Sequence, residues 1–77
     1  MIKLNVGDVV KYDSAAAIGR TCKVVEIVKG MNAAKKVIDW IVLEYTATNV
    51  YTGKDFLTKV RLAYIPSNMA AMKVRKV

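Results

Sequence analysis

The chain has 77 residues, of which 55% are hydrophobic, and its 13 Lys and Arg against 6 Asp and Glu give a net charge of +7. That length holds one core and therefore one domain over residues 1–77, and the apolar fraction excludes a disordered polyelectrolyte. A single cysteine, Cys22, and the absence of histidine exclude an intramolecular disulfide, a zinc ribbon and His-based acid–base or triad chemistry.

The first strand is expected from about Val6 to Tyr12, with Val6, Val10 and Tyr12 on one face, Lys11 on the other, and Gly7 relieving a bend near its start. Small residues from Ser14 to Gly19 read as a surface loop. The second strand, Cys22 to Lys29, is rich in β-branched residues; strict alternation puts Val25 and Ile27 on one face and Val24 and Val28 on the other. A lone thiol in such a strand reads as a small buried apolar residue.

Gly30 and Asn32 signal a turn, and Val37 to Thr46 reads as a long third strand of Val, Ile, Trp, Tyr and Thr. A helix over Ala33 to Tyr45 is the alternative, because Ala34, Val37, Ile38, Ile41 and Tyr45 also satisfy helical spacing. A turn over Asn49 to Gly53 precedes a fourth strand, Asp55 to Tyr64. Its alternation sets Phe56, Val60, Leu62 and Tyr64 on one face and Asp55, Leu57, Lys59 and Arg61 on the other. After Pro66, Met69 to Met72 suits one helical turn capped by Ser67 or Asn68, and Lys73 to Val77 a short closing strand.

No stretch approaches the ~20 apolar residues that cross a bilayer, and the start of the chain lacks the apolar run of a secretory signal. With the unpaired thiol, this leads to the expectation of a cytoplasmic protein with no membrane contact. A core of this size, without disulfide or metal, leaves a stability of about 3–5 kcal/mol. A homo-oligomer or a bound partner would widen that margin.

Four strands, a helical turn and a fifth strand follow the order of an all-β, small SH3-like five-stranded barrel with a short helical turn before the last strand. Gly19-Arg20-Thr21-Cys22-Lys23-Val24-Val25-Glu26-Ile27, led by Gly7-Asp8-Val9-Val10, resembles the KOW motif of ribosomal and transcription-elongation proteins. Cys22 stands where that motif has its second glycine. The resemblance covers roughly residues 6 to 28 and implies RNA binding.

The basic excess draws a protein to polyanions through phosphate contacts. Lys59 and Arg61 share a face of the fourth strand and Lys73 and Arg75 a face of the last, so pairing of those strands would join them in one patch, with Arg20 and Lys23 extending it. The same charges also serve simply to keep a small apolar protein in solution. Tyr51, in a turn, is the best candidate for an exposed stacking aromatic, whereas Trp40 is expected in the core between Ile38 and Val42.

The acids at 8, 13, 39 and 55 are too scattered for a metal site or acid–base pair, and the four glycines stand singly, so no phosphate loop, cofactor or catalytic residue is expected. The leading expectation is a non-enzymatic barrel that binds RNA or DNA. The alternative is a protein-interaction or assembly module, such as a phage or virion accessory or structural protein, that docks on an acidic protein partner or on itself.

Overall fold

The computed structural model describes residues 2–14 and 17–77, without the side chains of residues 14, 17 and 18. Five strands form one antiparallel sheet: β1 (Val9–Ser14), β2 (Ala17–Met31), β3 (Val37–Thr48), β4 (Asp55–Ala63) and β5 (Arg75–Lys76). One short helix, α1 (Pro66–Ala71), lies before the last strand. The all-β class and this element order are those expected from the sequence. The barrel is not closed: the strands run β4-β3-β2-β1-β5, leaving β4 and β5 as opposite edges.

The long β2 organises the sheet. Its first half pairs with β1, Val10 facing Cys22, and its second half with β3, Val24 facing Leu43 and Ile27 facing Ile41. Between Val24 and Glu26 the register shifts by a β-bulge. The extra residue reverses the alternation, so Cys22, Val24 and Ile27 all turn to the core, and the uninterrupted alternation expected for this strand is corrected accordingly. The helical alternative for residues 33–45 is also excluded, because β3 starts at Val37 after a turn that Asn32 organises. There Lys35 N–H donates to the Asn32 carbonyl (3.0 Å) and Lys36 N–H to its Oδ1 (3.0 Å).

The core is the inner face of the sheet with its lid. Val10, Cys22, Val24, Ile41 and Leu43 project from the strands, and Leu4, Met69 of α1 and Val74 cover them. The N-terminal segment is fastened through Tyr64, whose hydroxyl accepts the Leu4 N–H (2.8 Å) and donates to the Ile2 carbonyl. Val6 is 62% exposed and lies outside the first strand, in a turn closed by Asp8 N–H to the Asn5 carbonyl. Gly7 holds φ +97° in this turn, and its N–H bonds the Val24 carbonyl at 2.8 Å, tying the turn to β2. The loop expected over Ser14 to Gly19 is in part strand, since Ser14 pairs with Ala17; residues 15 and 16 lie outside the described residues.

Helix α1 begins at Pro66, with no side-chain cap at Ile65; neither Ser67 nor Asn68 caps it, and Asn68 Nδ2 instead donates to the Ala63 carbonyl (3.2 Å). Its far end is a Schellman motif. Val74 N–H returns to the Met69 carbonyl and Lys73 N–H to that of Ala70, Lys73 holds φ +50°, and buried Val74 packs with buried Met69. This corrects the expected closing strand, because Lys73 is part of the helix stop and only Arg75 and Lys76 pair with β1. Glycine occupies the left-handed region without the steric cost a lysine carries there. Lys73→Gly is expected to raise stability by about 1 kcal/mol, read as a higher urea midpoint at unchanged slope.

Candidate nucleic-acid interface

The register places the charged side chains. On the face opposite Val10, Val24 and Leu43, Lys23 stands directly across from Glu44, and Glu44 across from Lys59. One step along, Arg61 faces Val42, and at the other end of the sheet Lys11 faces Arg75. Lys11, Lys23, Lys59, Arg61 and Arg75 thus share the outer face, although β4 and β5 lie at opposite edges and do not pair. Direct pairing of those two strands, the arrangement expected to join the cations, does not occur; β1, β2 and β3 bridge them instead.

Several cations are already engaged. Among the described residues the ion pairs are Arg75 with Asp13 (3.0 Å), Lys76 with Asp8 (3.2 Å) and Lys29 with Asp39 (3.8 Å). Asp13 also accepts the Gly19 N–H, so it braces the β1–β2 hairpin against β5 and fixes Arg75 in a structural role. Lys11, Lys23, Lys59 and Arg61 make no ion pair among the described residues.

Arg20 leaves the outer face. It pairs with Tyr12, on the core side, and its guanidinium lies 4.5 Å from the Tyr45 ring centre, closing one end of the core by a cation–π contact. Lys73 is also apart from the outer face. With Ile2, Pro66, Met69, Ala70, Val74 and Arg75 it lines an open apolar groove of about 520 Å³ beside α1.

Arg61 stacks on Trp40, 4.5 Å from the ring centre. Trp40 is therefore on the outer face, not in the core as expected; Ile41 and Leu43 take the core positions. Gly30 leaves room for the stack, since a Cβ there would stand 2.7 Å from Arg61 Nη2 and 3.0 Å from the indole. The buried indole N–H has no hydrogen-bond partner among the described residues. The stack holds the Arg61 guanidinium as a flat donor array above the sheet.

Tyr51 is 94% exposed at the tip of the β3–β4 turn. Asn49 builds that turn, its Oδ1 accepting the N–H groups of Tyr51 (2.8 Å) and Thr52 (3.3 Å), while Gly53 takes φ +70° before β4. Tyr51 is thus the exposed aromatic expected, presented by a hydrogen-bonded turn.

Cys22 is buried, and its Sγ–H lies 3.6 Å from the Arg20 carbonyl. Burial pushes its pKa up, opposed in part by the Arg20 charge, which keeps it a thiol at neutral pH. Its backbone is not in the left-handed region, so the position has no need of the glycine found in the KOW pattern.

The Asp8 carboxyl is held below its ordinary value of 3.8, first by the Asn5 N–H (2.8 Å) and then by the Lys76 ammonium. A depressed carboxyl contributes stability above its ordinary value and loses it as pH falls through the folded value. Asp8→Asn should therefore melt lower than the parent at pH 7, and in paired thermal scans the difference should shrink as pH falls through the ordinary carboxyl range and close once the folded Asp8 carboxyl is protonated.

Among the described residues no group of three or more Asp, Glu or Cys is placed to hold a metal, and no helix is long and apolar enough to cross a membrane. No protein family, curated protein or solved structure matches the chain.

Proposed function

We propose that this protein is a non-enzymatic nucleic-acid-binding module that grips the phosphate backbone of RNA or DNA across the outer face of its sheet, in the cytoplasm. The observation that carries the reading is the placement of Lys23, Lys59 and Arg61, free of ion pairs among the described residues, on that one face with Lys11 beyond them. Lysines act there as point charges on phosphate, while the stacked Arg61 offers a planar fork to two phosphate oxygens.

Glu44 lies between Lys23 and Lys59 and spaces the cations apart, which suits successive phosphates along a strand better than one compact anion. Tyr51 at the rim offers a stacking face for an unpaired base. Contacts of this kind go to phosphate rather than to base edges, so binding is expected to show little sequence preference. Fluorescence anisotropy with labelled single-stranded and duplex oligonucleotides of mixed sequence at low salt tests this; a flat titration with every one would reject the reading.

A further inference from the structure

We infer that β4 is a pairing edge for a second copy of this chain, joining two five-stranded sheets into one continuous antiparallel sheet with Leu57 on the two-fold axis. This rests on the strand's own register and charges rather than on the nucleic-acid reading; in the dimer Lys59 serves the pairing, and Lys11, Lys23 and Arg61 stay open to phosphate. The frame of the β3–β4 ladder is set at its two ends, by Asn49 N–H to the Lys54 carbonyl and Tyr64 N–H to the Asp39 carbonyl. Bonded pairs alternate in an antiparallel ladder, so Phe56, Thr58, Val60 and Leu62 spend their backbone groups on β3. Asp55, Leu57, Lys59 and Arg61 turn theirs to the free edge. That edge is a nine-residue strand without proline, and its pairing with β3 shows no register shift. Nothing blunts it by geometry.

The side chains on the edge are complementary to their own two-fold copy. With Leu57 opposite Leu57, Asp55 of each copy faces Lys59 of the other, and Arg61 faces Gly53. Like charges are then neither opposite nor diagonal, and two crossed ion pairs flank an apolar pair. Centring the dyad on Lys59 instead would set two ammonium groups against each other. Leu57, 68% exposed on the outer face of the lone chain, would be covered by its partner, and Phe56, 48% exposed, would gain Thr58 as a neighbour. A second copy is the occupant because the complementarity is internal to the strand: its acid and its bases are spaced to match when the strand is reversed on itself.

Sedimentation equilibrium on the full, nucleic-acid-free chain tests the pairing. The expected result is a reversible dimer, weakened at least tenfold by Asp55→Lys or by Lys59→Asp and restored when both are combined, with circular dichroism confirming folded sheet in each variant. A disulfide trap fixes the register: in a Cys22→Ala background, Leu57→Cys should cross-link two chains under mild oxidation. Lys59→Cys, whose copies stand about 13 Å apart in this register, should not. A monomer at all concentrations, singles that dimerise like the parent, or a double variant that stays monomeric would each overturn the proposal.

Discussion

Leu43→Ala should cost about 3–4 kcal/mol, enough to leave much of the chain unfolded at 25 °C. Leu43 is fully buried at the centre of the sheet, paired with Val24 on one side and Val60 on the other. Truncation removes the transfer energy of the lost atoms and leaves a cavity that three strands cannot close, because each is held in register by its neighbours. A single-core domain of this length has only about 3–5 kcal/mol to lose. Leu57→Ala, the same substitution on the outer face, should stay within about 0.5 kcal/mol in the monomer, read at a protein concentration below the dissociation range of the dimer. Urea denaturation followed by far-ultraviolet circular dichroism separates the two; equal effects would mean that the core does not lie on the inner face.

Lys59→Glu with Arg61→Glu should weaken oligonucleotide binding by at least about tenfold at 50 mM salt and lower the salt slope by about two. The two residues stand on one strand and one face, and reversing both sets acid where phosphate must approach. Glu44 then becomes part of an acidic row. The fold should survive, since both residues are exposed and neither forms an ion pair among the described residues. The Trp40 indole loses the guanidinium stacked on it, which its fluorescence reports, because it is the only tryptophan. Reversing Lys73 instead should change binding little, because it lies beside α1 and away from the outer face.

β3 and β4 were legible because each is a run of alternating or β-branched residues set off by asparagine, glycine or proline, and both follow their alternation to the end; β1, β2 and β5 were placed in order but with other bounds. The facing of β2 was not legible. Cys22 to Val28 is apolar on both sides of the strand, and a bulge, which depends on how β3 docks, decides which set turns inward. Trp40 was misplaced for a related reason: it sits between Ile38 and Val42, which look like core partners, while Ile41 and Leu43 form an equally apolar row of opposite parity. A local pattern does not say which row meets the lid.

Edges of the sheet were beyond the sequence as well, since closure depends on twist and strand offset rather than on any single residue. For the interface, alternation gave the facing of Lys59 and Arg61 correctly, and the same rule applied to Val10, Lys11 and Tyr12 offers Lys11, a cation the candidate set lacked. Lys73 and Arg75 failed as a pair because the helix stop takes one and Asp13 the other. Arg20 shares the parity of Cys22 and Val24 and so lies on the face opposite Lys23, which alternation alone shows; its contact with Tyr45, 25 residues on, is what no local pattern reveals.

The most direct test of the outer face as a phosphate-binding surface is the dependence of affinity on salt for the unaltered protein and a mixed-sequence oligonucleotide. Three to five phosphate contacts on a single strand predict a linear plot of log affinity against log salt with a slope of about −2 to −3.5. Affinity that holds constant between about 50 and 200 mM salt, or no binding at the lowest salt, would contradict the account.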